Sequence, residues 1–525
     1  MLNRYKYILL ACALGFTSCE SLDQQPLDRL GEETFWQTEK ETLFAVTGVY
    51  NDWESGSHLF YMDCASDNSN NDFSHEGFQQ IGNGTFNPTN PGSAGSRYTY
   101  THIRRANWIL ENIDRAPISD ALKNRLKAEV RTIRAYRYLD LAIHFGDVPL
   151  IKQTLSIPES YVEASPRSEV FKFVEDELNA AALDLPVTQA EKGRMTKGAA
   201  LGFLARAYAF QKKHQQVAST TQETINLGTY TLFPDYANLF EVANGNNAEV
   251  ISDIQYIENT FGYTSLGIML PNTLGGWGSI VPLQSLVDAY ETIDGDPITT
   301  SKTFNPAKPF DNRDPRLAAT IVYPGALYAG KYFDPLGDTK DHPNSADNAS
   351  NTGYNYKKYI QNPASYANIW NVGTNIIVQR YAEILLLNAE AKIELNQIDN
   401  SVYANIDLVR RRAGLPIVNQ NSYNTQAKLR ELVRRELRVE LAGEGRRRFD
   451  IVRWGIAKDV MNGPVYGSLS KGEVNTITGE VTYSSLTDRF FIENRVFTED
   501  KNELWPKPQS AIDASRGKLK QNPNY

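Results

Sequence analysis

Glu440-Leu441-Ala442-Gly443-Glu444-Gly445-Arg446-Arg447-Arg448-Phe449-Asp450, followed by Arg453-Trp454, is the most telling stretch of this chain. Upstream of it Leu429, Leu432, Val433, Leu437 and Leu441 recur at helical spacing, so an amphipathic helix runs into it. Gly443 and Gly445 are natural helix stops, because glycine enters the left-handed region without a side-chain penalty. Around that stop Glu436, Glu440, Glu444 and Asp450 stand against Arg446, Arg447, Arg448 and Arg453. Charge this dense, mixed with Phe449 and Trp454, predicts a partly buried ion-pair network. Guanidinium forks can satisfy its carboxylates two bonds at a time.

Outward from that helix the same periodicity recurs in groups. Residues 103–113 and 122–145 read as a helical pair, the second carried by Leu126, Val130, Ile133, Tyr136, Leu141 and Phe145 and stopped by Gly146. Segments 170–183 and 196–212 form another pair, continued by 217–227; a third group covers 378–395, 402–412 and 425–441. Leu204-Ala205 with Tyr208 and Ala218 echoes the small-and-aromatic pattern of tetratricopeptide repeats. Between the groups lie polar stretches, 63–97 and 334–367, and the stretch 261–296 with Gly275-Gly276-Trp277-Gly278. Loops so long inside a compact domain are functional or disordered, and scattered aromatics such as Phe73, Phe78, Phe86, Tyr354, Tyr356 and Tyr359 argue against disorder. The expected fold is mainly α. Helix pairs stack into a short solenoid, at about 100–228 and 376–454, beside a large irregular loop-rich half at about 60–100 and 260–370.

Several motifs, in order along nearly the whole chain, resemble those of the SusD/RagB family of outer-membrane nutrient-binding lipoproteins. The opening stretch resembles that family's signature. Gly193-Arg194-Met195-Thr196-Lys197-Gly198-Ala199-Ala200 with Leu204-Ala205-Arg206-Ala207-Tyr208 looks like its central helix, and Asn312-Arg313-Asp314-Pro315-Arg316-Leu317 like its mid-chain turn. Arg380-Tyr381-Ala382-Glu383-Ile384-Leu385-Leu386-Leu387-Asn388-Ala389-Glu390-Ala391, then Val409-Arg410-Arg411-Arg412-Ala413-Gly414-Leu415-Pro416, are similar to its late helices. Leu504-Trp505-Pro506-Lys507-Pro508 and Gln521-Asn522-Pro523-Asn524-Tyr525 resemble its ending. The resemblance implies a non-enzymatic surface lipoprotein that captures oligo- or polysaccharide. It also implies a partner, a TonB-dependent transporter of the SusC type over whose pore the lipoprotein sits like a lid. It further implies that the loop-rich half carries the glycan site.

The first residues address the chain to an envelope. Arg4 and Lys6, an apolar stretch over 7–16 and Thr17-Ser18-Cys19 make a secretory signal, 1–18, too short to span a membrane stably. A cysteine behind a small residue is what bacterial lipidation requires, so Cys19 is the expected lipid anchor; Phe16 departs from the usual leucine there. An ordinary signal peptide with an incidental cysteine is the competing account. Glu20 and Asp23 resemble the surface-export signal of related lipoproteins, which points outward from the outer membrane. Residues 19–525 then form the folded part. With three cysteines, Cys12, Cys19 and Cys64, no disulfide framework is available once the signal is gone, and Cys64 reads as a small buried residue. A net charge of −8 with basic residues interleaved among acids argues against nucleic acid, which needs a concentrated positive face.

Catalytic signatures are weak. The six histidines show no zinc-ligand spacing, and no nucleophile elbow or phosphate-cradling loop occurs. With 62 acids the sequence cannot single out a glycosidase pair. Asn68, Asn70 and Asp72 mimic half a calcium loop, but Phe73 replaces the required glycine and Gln79 the bidentate acid. No cofactor is expected, and a structural calcium is not supported. Glycan binding asks for less: an aromatic face for the ring and paired hydrogen bonds for its hydroxyls. Trp277, flanked by glycines in a loop, is the leading platform, with a loop-anchoring plug as its alternative. Asp67, Asn68 and Asn83 are polar candidates, and Phe86 and Tyr354 further platforms; ordinary turn chemistry is the competing account for the Asn and Asp residues. Two rivals stand beside glycan capture: a peptide-capturing member of the same family and a surface glycoside hydrolase.

Overall fold

The computed structural model describes residues 35–525, Ala346 excepted; Cys19 and the signal segment lie outside the described residues. Helix α1 (Glu39–Tyr50) starts at a capping box in which the Thr38 hydroxyl accepts from Glu41 N–H and the Glu41 carboxylate accepts from Thr38 N–H. Then come α2 (Thr101–Asn112), α3 (Asp120–Phe145), α4 (Arg167–Asp184), α5 (Lys197–Phe210) and α6 (His214–Asn226). Each packs on the next from α2 to α6. The stack is then taken up by α7 (Tyr381–Glu394), which packs on α6 across the whole 227–375 insertion. Helix α7 also carries α8 (Asn400–Arg412) and α9 (Gln426–Glu440), and α10 (Arg447–Trp454) returns onto α5. The fold is mainly helical, as its sequence periodicity predicts.

Short antiparallel ribbons tie the insertion down. Strand β1 (Ser69–Asn71) pairs with β3 (Ile280–Pro282), and β2 (Val250–Ile254) with β4 (Ile376–Arg380). The helix expected from residue 378 therefore begins later, at Tyr381. Ile376, Ile377 and Val378 are β-branched and buried, which suits a strand better than a helix start. Because β2 and β4 bracket the insertion, its two ends are held together where it leaves and rejoins the stack. At the far end of the chain Trp505 stacks on His144 at the end of α3, with ring centroids 4.1 Å apart and a 2.6 Å bond from Trp505 N–H to the His144 carbonyl.

The charged stretch closes the interior between stack and insertion. Arg380, with no exposed side-chain surface, bonds Glu249 (2.8 Å), Glu440 (2.5 Å) and both oxygens of Glu444 (2.7 and 2.8 Å). Glu440 is shared with Arg412 and Arg316, and Arg316 also grips Asp314 (2.7 Å) and Glu436 (2.9 Å). Lys358 reaches in from the insertion to Glu444 at 2.6 Å. Burial alone would raise the Glu440 carboxyl, but Arg412, Arg380 and Arg316 hold it far below the usual carboxylate range. Gly445 makes the sharp exit from α9 possible: its φ is +71°, and a Cβ there would lie 2.4 Å from the Leu59 carbonyl oxygen. A buried ion-pair network is thus present, but with other partners than expected. Glu436, Glu440 and Glu444 take cations from elsewhere in the chain, and Arg446 and Arg447 pair with Glu383 and Asp67. Arg448 donates to the Asn502 carbonyl, and only Arg453 with Asp450 joins two members of the stretch.

Arg380→Leu is expected to lower unfolding free energy by at least ~3–5 kcal/mol, because it leaves Glu249, Glu440 and Glu444 buried without a shared counter-charge; urea denaturation measures it. Arg447→Ala should cost less, since its partner Asp67 keeps Arg438 at 3.0 Å. Acid should be the weak flank. Burial pushes the Asp67 and Glu383 carboxyls up, but their arginines win and hold both at about 2. Against ordinary carboxylates near ~4 in the unfolded chain, that stabilisation is present above pH ~4 and lost as pH falls toward 2. Asp63, raised to about 6 chiefly by burial, acts with the opposite sign and costs stability only at higher pH. From pH 7 to 5 two effects oppose. Asp63, Asp72 and Asp253, lifted by burial to about 6, 7 and 6, favour the fold as they take up protons, while His58 and His144, held by burial at about 3 and 4, disfavour it. The collapse in melting temperature should fall between pH ~4 and 2, where the arginine-held carboxylates are lost as well.

Candidate functional site

The glycine-flanked tryptophan sits where the insertion's loops meet. Trp277 N–H bonds the Gly267 carbonyl (3.1 Å) and Ser279 N–H the Ile268 carbonyl (2.7 Å), so the segment is fixed by its backbone. The Trp277 side chain remains free to face outward and is 46% exposed. Its neighbour is a second indole, Trp370, with ring centroids 4.6 Å apart and planes inclined by 42°. Gly267 makes room for this pair: a Cβ there would meet the Trp370 ring at 2.4 Å. Two partly exposed indoles thus form one bent aromatic surface.

Polar groups gather on the adjoining backbone. The β1–β3 ribbon sets Asn71 opposite Ile280, and Asp72 N–H bonds the Ser279 carbonyl (3.0 Å), two residues from Trp277. Gly278 lies against the Ala349-Ser350 backbone, a Cβ there falling 2.9 Å from Ser350 N. From that loop Asn351 N–H bonds Asp72 Oδ2 at 3.2 Å. Burial raises the Asp72 carboxyl to about 7, the Asn351 bond opposing and Glu76 adding to the shift. The Asn351 side-chain carbonyl is buried with no hydrogen-bond partner. The paired indoles offer a sugar ring an apolar face to stack on, with the polar Asp72–Asn351 junction on the adjoining backbone.

The other expected site residues are placed elsewhere. Asp67 is buried and forms a fork with Arg447 (2.7 and 2.9 Å); Asn68, also buried, accepts from Arg438 (2.9 Å). These two join the 60–72 segment to α9 and α10, which removes them from a ligand's reach. Asn70 likewise accepts from Arg495 (3.2 Å), so the calcium-loop mimic is spent on arginines. Asn83 donates to Glu493 (3.2 Å) and accepts from the Thr85 N–H and hydroxyl, closing its own turn. Phe86, 2% exposed, packs near Tyr525, and Tyr354, 1% exposed, donates to Gln284 (2.7 Å). Neither ring can serve as a platform, because both are enclosed in the core. Cys64 is buried and free. The sequence reading missed Trp370 and the junction of Asp72 with Asn351 beside the Trp277 loop. Trp370 sits in a polar loop before Gly373, a weaker form of the signal that picked out Trp277.

Comparison with known proteins matches this architecture. Residues 235–525 fit the family model described as the SusD family, and residues 26–209 one described as starch-binding associating with outer membrane. A SusD-like carbohydrate binding protein of Bacteroides fragilis has 31% identity and a TM-score of 0.83, over 93% of this chain and 99% of that one. A laminarin binding SusD-like protein has 25% identity and a TM-score of 0.70, over 93% of this chain and 100% of its own. A SusD-like protein of Formosa agariphila is 27% identical over 87% of this chain and 90% of its own. With the helical stack, the buried arginine-carboxylate centre and the family match in agreement, this chain belongs to the SusD family.

Proposed function

We propose that this protein captures an oligo- or polysaccharide at the cell surface and delivers it to a SusC-type TonB-dependent transporter. The observation that carries the reading is the Trp277–Trp370 pair, half-exposed on loops that the ribbons hold rigidly beside Asp72 and Asn351. Solvent-facing indoles cost a monomer apolar exposure, and a sugar ring is a partner that covers them while leaving its hydroxyls to polar neighbours. Carbohydrate-binding relatives of the same fold support this choice. Binding of this kind needs no matched acid and base, so the chain acts by holding its ligand and not by cleaving it. Lipid on Cys19 would keep the protein at the outer membrane, and the family description that places relatives there supports that location.

Trp277→Ala should weaken glycan binding by ~1–3 kcal/mol, the scale of one lost stacking surface. Melting should move little, because the indole is half exposed. A glycan array on the chain lacking its first 19 residues identifies the sugar, and isothermal titration of wild type and variant measures the loss. Oligopeptides titrated in parallel test the peptide-capturing alternative, and release of reducing sugar would overturn the non-catalytic reading. Unchanged affinity in Trp277→Ala would move the site off this loop.

Cys19→Ala should abolish labelling by a fatty-acid probe and leave the protein unprocessed or released, since acyl chains supply the membrane hold. Equal labelling of both forms would refute the anchor.

A further inference from the structure

The hairpin that borders Trp370 also walls a separate cleft. Residues Ile257 and Phe261 close the hairpin, and Gly262 lies against Asn371, the residue after Trp370. Two adjoining cavities of about 330 and 280 Å³, the second walled by the hairpin, share Glu191, Lys192, Gly193, Arg194 and Asp253. Their size is that of small-ligand sites, ~300–1,000 Å³.

Asp253 is only 5% exposed and lines both cavities. Its Oδ1 accepts from Gln255 at 2.7 Å; Oδ2 makes no hydrogen bond of normal geometry, although the Asn375 amide also lies against this carboxyl. The neighbouring Ser252 hydroxyl, also buried and lining the first cavity, has no partner either. Adjacent strand residues normally face opposite ways, but the β2–β4 register breaks on both sides of Ser252. Among the buried polar atoms without a partner, these two stand side by side on one cavity wall, where a ligand's donors would meet them. Arg194 does not meet that need: Glu129 (3.2 Å), Glu191 (2.8 Å) and Thr47 (3.1 Å) occupy it. The cleft therefore calls for a ligand that donates hydrogen bonds. At its mouth Phe261, 51% exposed, stacks on Tyr256 with centroids 5.7 Å apart and planes 8° from parallel. Burial raises the Asp253 carboxyl to about 6 against the amides of Gln255 and Asn375, a state that hydroxyl donors would relieve.

We propose that this cleft is a second glycan subsite, in which Asp253 and Ser252 accept sugar hydroxyls and Phe261 stacks on a ring. The proposal rests on the glycan-capture reading, and its failure can be told apart from the failure of that reading.

Saturation-transfer NMR on the purified protein with laminari-, malto-, cello-, xylo- and mannohexaose is the test. The hexaose that saturates with wild type should still do so with Trp277→Ala. Adding Phe261→Ala or Asp253→Asn to that variant should cut the transfer at least fivefold. Phe261→Ala, at an exposed tip, keeps the test valid if Asp253→Asn lowers the melting temperature. Loss of all transfer in Trp277→Ala alone, or no further loss in the double variants, overturns the subsite and leaves the paired-indole site standing. Absence of transfer from every hexaose to wild type overturns both.

Discussion

Arg380 and Glu440 share a hydrogen bond at the point where the stack, the insertion and the charged stretch all meet. Neither has appreciable exposed surface, so each depends on the other for its charge to be tolerated. Arg380 ends the strand that returns the insertion to the stack, and Glu440 ends the helix that runs into the left-handed exit. Around them Glu249 comes from before β2, Arg316 from the mid-chain turn, Lys358 from the insertion and Arg412 from α8. Six separate segments must therefore arrive together before all of these charges are satisfied. Such a centre works as a registration device: a misplaced segment would strand a charge in the core, which the chain cannot afford.

That constraint explains how so irregular a half can hold a site. The insertion has little regular structure, yet its ends are zipped by β2 and β4 and its middle by β1 and β3. Asp67 and Asn68 bolt the 60–72 segment to α9 and α10 through Arg447 and Arg438. The loops bearing Trp277, Asn351 and Asp72 then hang from this ion-paired and strand-paired frame. An aromatic surface set on such a frame is pre-organised, so binding need not order the loop as it captures a ring.

The same frame places two kinds of polar group differently. Carboxylates next to arginine forks, such as Glu383 and Asp67, are held ionised and belong to the scaffold. Carboxylates at a cavity wall or loop junction with no arginine fork on them, such as Asp253 and Asp72, are lifted by burial.

Helical periodicity and clustered charge are local properties, so the chain by itself determined the α stack, the exit at Gly443 and Gly445, and the existence of a buried ion-pair centre. Glycines around Trp277 likewise marked an exposed indole, because a side chain without neighbours in sequence has few to bury it. Pairing is not local. Asp67 read as a ligand until its partner, 380 positions away in Arg447, was in view. Phe86 and Tyr354 read as platforms until the core closed over them. Residues 378–380, expected as the start of a helix, became the end of a strand because β2 was there to pair with it. Trp370, Asp72 and Asn351 came to Trp277 by the same means. Tertiary structure decided these cases because burial and hydrogen-bond satisfaction depend on what arrives from elsewhere in the chain, and no window of sequence contains that information.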